Sequence, residues 1–256
     1  MEQIFNFAKR TIEKAGIIVK NNYNKLNKIS YKQGAFNLVT NIDKEVEKYI
    51  VTQIKNTFPE HSIIAEESGL HKKISAYQWF IDPIDGTTNF AHNYPCFCIS
   101  IALAHNEVIQ LGLVKNPVTD DSYTVIKNKG AKLNDKPIKV SKITRLKDSL
   151  LATGFPYDKL SSKKNNLKNF GKLTLMTHGV RRDGSAALDL CYVASGKIDG
   201  FWELKLSPWD VAAGTLIVEE AGGKITGFHG NKYDIYKKEI VATNGLIHKE
   251  LLKNLK

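Results

Sequence analysis

The chain has 256 residues, of which 42% are hydrophobic and 25% charged, and a formal net charge of +11. These proportions are ordinary for a soluble globular protein, and the length is enough to bury a full core as one large domain or two intimate halves. No apolar run approaches the ~20 residues that span a bilayer, which excludes a helical membrane protein.

In chain order, Ile4, Phe7, Ile12, Ala15 and Val19 fall at helical spacing and predict an amphipathic helix over residues 1 to about 24. The start has no basic segment followed by a long apolar stretch, so a cytoplasmic protein is expected. Lys25–Gly34 reads as a polar connector. Asn41–Phe58 places Ile42, Val46, Tyr49, Ile50 and Ile54 on one helical face. Short strands are expected around 61–65, 77–81, 97–104, 108–115 and 122–127, and again near 149–153 and 176–180. Residues 157–172, rich in Lys and Asn, read as a surface helix with mobile flanks. Helices over 185–195 and 208–221 alternate with strand-like pieces at 199–203, 224–226 and 239–242. The pattern reads as a single domain over 1–256, with approximate halves 1–140 and 141–256. Cys96 and Cys98 fall on one strand face and Cys191 in an apolar helix. None has metal-ligand or redox-motif spacing, so buried free thiols are expected.

The most informative stretch is Asp82-Pro83-Ile84-Asp85-Gly86-Thr87-Thr88-Asn89-Phe90. The aromatic segment Tyr77–Ile81 before it predicts a buried strand, so the two acids are expected where that strand ends. Both are hard oxygen donors suited to Mg²⁺. Gly86 permits close backbone approach, and Gly86, Thr87 and Thr88 offer N–H groups for an anion if a helix begins there. Acids for a cation beside donors for an anion make one reading; a turn with Asp at its corners and a Thr cap makes the other.

Three further segments carry similar double readings. Ile63-Ile64-Ala65 runs into Glu66-Glu67-Ser68-Gly69, either a polar loop or a further acid for the same cluster, with Glu66 and Glu67 on opposite sides if the chain stays extended. Ser207-Pro208-Trp209-Asp210 reads as a helix start with Ser207 as N-cap, where the dipole alone explains Asp210. Gly184-Ser185-Ala186-Ala187 reads as another start, whose N–H groups either hold a ligand oxygen or close a tightly packed helix end.

Together, Glu66-Glu67-Ser68, the Asp82–Phe90 stretch, Arg182-Asp183-Gly184-Ser185-Ala186-Ala187 and Trp209-Asp210-Val211-Ala212-Ala213-Gly214 resemble the inositol monophosphatase family of Mg²⁺-dependent, lithium-sensitive phosphatases, in order and in spacing. Asn37–Asp43 also matches, except that many members have Asp where this chain has Asn37. The resemblance implies an α+β fold, a layered α-β-α-β-α sandwich, and a homodimer. It implies two or three Mg²⁺ ions, the first on Glu66, Asp82 and the Ile84 carbonyl, the second on Asp82, Asp85 and Asp210, and a weaker third on Glu66 and waters. It assigns Thr87 and Asp43, helped by Glu66, to positioning the attacking water. Phosphate is placed on the Gly86 and Thr87 amides, and substrate hydroxyls on Asp85, the Gly184-Ser185-Ala186 turn, Glu203 and Asp210.

The implied reaction is hydrolysis of a phosphate monoester, myo-inositol phosphate first, by direct attack of water. The same fold could act on fructose 1,6-bisphosphate, histidinol phosphate, NADP or a nucleotide. The net charge comes almost wholly from lysine, clustered in Lys159–Lys172 and Lys232–Lys256. It reads either as a solvated lysine-rich surface or as the footprint of an RNA or transcription partner.

Overall fold

The computed structural model describes residues 1–25, 28–32 and 37–255; the remainder of the connector expected over Lys25–Gly34 lies outside the described residues. The first elements are α1 (Glu2–Asn22), β1 (Ile29–Tyr31), β2 (Leu38–Thr40) and α2 (Asn41–Thr57). Next come β3 (Ser62–Ala65), β4 (Gly69–His71), β5 (Tyr77–Asp85), α3 (Thr87–Ala91), β6 (Cys98–His105), β7 (Val108–Lys115), β8 (Ser122–Ile126), β9 (Ala131–Leu133) and β10 (Lys136–Pro137). The chain continues through β11 (Leu150–Thr153), α4 (Leu167–Thr174), β12 (Gly179–Arg181), α5 (Ala186–Ala194) and β13 (Gly200–Leu204). It closes with α6 (Pro208–Glu220), β14 (Lys224–Thr226), β15 (Glu239–Thr243) and α7 (His248–Asn254).

Among the described residues, eight strands form one sheet in the order β10-β9-β8-β7-β6-β5-β3-β4, and five form a second in the order β12-β11-β13-β15-β14. Helices α1 and α2 cover the outer face of the large sheet, α5 and α6 lie between the two sheets, and α4 and α7 pack beyond the small sheet. These are the five layers of an α-β-α-β-α sandwich. Strand periodicity builds the cores: on β5 and β6, Trp79, Ile81, Ile101 and Leu103 face α1 and α2, while Phe80, Ala102 and Ala104 face α5 and α6. Val211 to Val218 of α6 are buried without a break, as expected of a helix with a sheet on either side.

Caps set the helix starts that matter for the site. Thr40 and Asp43 form a reciprocal capping box at α2, and Ser207 and Asp210 form another at α6 with Pro208 in the first turn. Both acids therefore have a structural duty as well as any chemical one.

Several expectations need correction. β5 does not stop at Ile81 but runs through Asp85, pairing Asp82 with Ser100 and Asp85 with Cys98 across a register shift. Pairing with β6 overrides the strand-breaking tendency of Asp-Pro, and the bulge turns both carboxyls into one pocket. The expected connector includes β1, which pairs with β2. The short strands β4, β9 and β10, with β4 and β10 at the two edges of the large sheet, and the helix α7 carry too little periodicity to be read locally. In the 157–172 segment only Leu167–Thr174 is helical. Cys96 precedes β6 rather than sharing its face with Cys98; the three cysteines are buried free thiols.

Candidate active site

A cavity of 720 Å³ opens where the C-terminal end of β5 meets the starts of α3, α5 and α6. Its lining includes Glu66, Asp82, Ile84, Asp85, Gly86, Thr87, Gly184, Ala186, Glu203 and Asp210. Ser185 and Asp43 lie behind that wall, each bonded to a lining residue.

Each acid is aimed by its backbone neighbours. Asp82 Oδ1 accepts the Ile84 amide at 3.0 Å. Asp85 Oδ2 accepts the Ser185 hydroxyl at 2.6 Å and the Ala187 amide at 2.7 Å, so the α5 N-terminus sets its direction. Asp210 Oδ2 accepts the Ser207 amide at 2.7 Å. Thr87 Oγ1 stands 2.9 Å from Asp43 Oδ1 and 3.0 Å from the Ile84 carbonyl, joining α2 to the end of β5. Gly86 holds φ at +97°, and a Cβ there would come within 3.0 Å of the Cys96 carbonyl, so neither its conformation nor its surroundings admit a side chain. Asn89 Nδ2 donates to the carbonyls of Cys96 at 2.6 Å and Asp183 at 2.7 Å, tying α3 to the Gly184–Ala186 turn.

The electrostatics are unfavourable as they stand. Burial, then the charges of Glu66, Asp85 and Asp210, push the Asp82 carboxyl well above its ordinary range. Burial, then Asp85 and Glu66, do the same to Asp210, against the Ser207 amide. Burial raises Asp85 to about 6 despite Ser185 and Ala187, and raises Asp43 to about 6 despite Thr40 and Thr87. Burial and then Asp85 raise Glu203 to about 8, with Arg182 opposing. The Glu66 Oε2 atom is buried and has no donor, and the Glu66 carboxyl interacts with the Asp82 carboxyl, another acceptor. Two acceptors face to face require a proton or a cation between them.

Lys32 supplies one positive charge: its Nζ lies 2.9 Å from Glu66 Oε1 and also pairs with Glu67. Both glutamates of the 66–67 pair thus reach the same lysine, not opposite sides as extended chain would require. Among the described residues, no three Asp, Glu, His or Cys side chains already close around one point. The donor set nonetheless fits a hard divalent cation. Its ligands are all oxygens, and the orphaned Glu66 oxygen and the mutual repulsion would both be relieved by positive charge.

Sequence reading did not single out Lys32, Gly154 or Tyr157. A Cβ on Gly154 would fall 2.1 Å from Glu203 Oε1, so the glycine makes room for that carboxyl. Tyr157 is 57% exposed as a residue yet lines the same cavity, where burial of its hydroxyl and then the charges of Glu66, Asp210, Asp85 and Asp82 raise its pKa. Their only sequence signals were a lysine in a polar connector and a Gly-Phe-Pro-Tyr run.

The Inositol monophosphatase family model matches residues 1–256. A protein from Synechocystis sp. named "Inositol-1-monophosphatase" is 45% identical over 94% of this chain and 84% of its own. One from Neisseria meningitidis serogroup B, named "Putative Nus factor SuhB", is 41% identical over 99% of this chain and 98% of its own. The solved inositol monophosphatase from Anabaena (Nostoc) sp. PCC 7120 superposes with a TM-score of 0.89 at 43% identity, covering 99% of this chain and 95% of that one. Sequence, fold and the arrangement of acids agree: the chain belongs to the inositol monophosphatase family.

Proposed function

We propose that this chain is a Mg²⁺-dependent phosphomonoesterase that hydrolyses inositol monophosphate to myo-inositol and phosphate by direct attack of water. The observation that carries this is the donorless contact between Glu66 and Asp82 inside a cluster of four acids. Glu66, Asp82, the Ile84 carbonyl, Asp85 and Asp210 would hold the ions, two or three in all, with Glu66 dividing its carboxylate between Lys32 and the metal. When bound, Mg²⁺ neutralises the phosphate dianion and acidifies water.

The chain's own groups do the rest. With its proton directed to Asp43 Oδ1, Thr87 Oγ1 keeps lone pairs free to accept a hydrogen bond from the attacking water. A proton leaving that water passes to Thr87 Oγ1 as the threonine's own moves to Asp43. Glu66 helps fix the water's place. The Gly86 and Thr87 amides bind the phosphate oxygens. Asp85, Gly184, Ser185, Ala186, Glu203 and Asp210 meet the polyol. Burial, and in the metal-free site the Asp85 charge, favour the protonated form of Glu203, which can both donate to and accept from substrate hydroxyls.

The test is phosphate release from myo-inositol 1-phosphate with and without Mg²⁺, beside fructose 1,6-bisphosphate, histidinol phosphate, NADP and a 2′-nucleotide. The expected result is strong turnover of the inositol ester that EDTA abolishes and millimolar lithium inhibits. Faster release from another ester would keep the mechanism and change the substrate. Gly154→Ala is expected to fold normally, because the atom it displaces is the tip of a flexible side chain, and to raise the KM for the polyol ester about tenfold by moving Glu203. An unchanged KM would remove Glu203 from the substrate contacts.

The net charge of +11 and the Neisseria relative's name favour a second reading, a transcription partner or RNA bound by the same chain. Salt-sensitive retention of RNA by metal-free protein would support it. Among the described residues no helix is long and apolar enough to cross a membrane. A homodimer in the cytoplasm belongs to the first reading, and light scattering tests the dimer.

A further inference from the structure

Glu66 sits in a mechanically weak place. Residues Glu66, Glu67 and Ser68 are the three-residue loop of the hairpin joining β3 to β4, with Ala65 paired to Gly69. β4 is a three-residue strand at the edge of the large sheet. Short edge hairpins open easily, and a loop tip leaves its amides to solvent. A residue that must keep its carboxyl at a fixed place needs more than that.

The extra restraint comes from α2. Glu47 is only 3% exposed, and its two oxygens accept consecutive amides of the loop, Glu67 N to Oε2 and Ser68 N to Oε1, each at 2.7 Å. These are charge-assisted bonds at the short end of the range. The Glu66 amide is bonded in turn to the Ile81 carbonyl at 3.1 Å, so the loop is held from β5 and from α2 at once. Glu47 lies four residues after Asp43, one turn along the same helical face. Asp43 reaches the Thr87 side of the site and Glu47 the Glu66 side. Two carboxylates in the packed face of a helix cost stability that apolar residues would not, which fits a positional duty better than a packing one.

We propose that Glu47 is a positioning residue of the site: by clamping the Glu67 and Ser68 amides it fixes the loop that carries Glu66, and so sets the affinity with which the acid cluster takes a divalent cation. The proposal rests on the metal-dependent reading above.

The experiment is calorimetric titration of Mg²⁺ into the substrate-free protein, its Glu47→Gln variant and its Glu66→Gln variant, with thermal melts of each. Glutamine keeps the volume but can accept only one of the two amides. Glu47→Gln is expected to weaken Mg²⁺ binding about ten- to a hundredfold, the usual range for a lost outer partner of a metal ligand. The Mg²⁺ needed for half-maximal phosphate release should rise by the same factor, with KM at saturating Mg²⁺ within twofold. A role confined to stability would lower the melting point and leave the Mg²⁺ affinity unchanged. A folded Glu47→Gln variant that binds Mg²⁺ as the parent does, while Glu66→Gln does not, overturns the proposal and leaves the metal reading standing. A parent that binds no Mg²⁺ overturns both. Should Glu47→Gln fail to fold, hydrogen exchange of the Glu67 and Ser68 amides in the parent decides: strong protection is expected, and free exchange overturns the clamp.

Discussion

Asp85→Asn is expected to lower kcat on the order of a thousandfold or more and, at the same time, to raise the melting point of the metal-free protein. The amide oxygen can take the place of Oδ2 and still accept the Ser185 hydroxyl and the Ala187 amide, so the local fold is kept. What disappears is one negative charge from a cluster in which Asp85 raises both Asp82 and Asp210. That repulsion destabilises the folded protein when no cation is present, and removing it stabilises. In the proposed reaction the same charge would help hold the ions that neutralise the phosphate, an effect of several kcal/mol on the transition state, each 1.4 kcal/mol being about tenfold in rate. Calorimetric melts in EDTA and kcat in Mg²⁺ check the two halves separately. Saturating Mg²⁺ should raise the parent's melting point and raise the variant's less. Near-full kcat in Asp85→Asn would remove this residue from the metal set.

The second large effect is on stability, far from the cavity. His248 is 2% exposed and lies between two threonines. Its Nε2 is 2.9 Å from Thr226 Oγ1, whose own proton goes to the Gly227 carbonyl, so Nε2 is the donor. Its Nδ1 is 2.9 Å from Thr243 Oγ1 and accepts from it. The ring is therefore held neutral, and burial, with Lys224 adding to it, lowers its pKa from 6.5 to about 4. The unfolded chain takes up this proton below 6.5 and the folded chain only below about 4. Between those values the unfolded state binds more protons, and stability falls as pH falls. The loss from this group amounts to about 3 kcal/mol at pH 4. The raised acids of the cluster act with the opposite sign, since protonation on acidification relieves them. Urea unfolding of the parent and of His248→Gln between pH 7.5 and 4.5 isolates the imidazole: the gap between the two should narrow steadily toward pH 4.5. A gap that does not change with pH would mean that His248 is not the group that titrates.

Much of this protein can be read locally. The capping boxes Thr40–Asp43 and Ser207–Asp210 each lie within four residues, and the buried runs of β6, β7 and α6 carry their periods openly. The acid stretch of β5 is legible as chemistry for the same reason, because residue types and spacing are local facts. The course of β5 through Asp85 was not legible. Asp-Pro-Ile-Asp breaks strands by its own preference, and only pairing with Ser100 and Cys98 of β6 carries the strand on. The site was assembled across still longer intervals. Ser185 meets Asp85 from 100 residues away, Thr87 meets Asp43 from 44, and Lys32 meets Glu66 from 34. Glu47, in a helix otherwise read from its apolar face, gave no local sign of holding a loop 20 residues on. A residue's type limits what it can donate, accept or ionise. Which partner it meets, and how far burial and neighbouring charge move its proton, depends on the packing of distant segments, and that packing is a property of the closed fold.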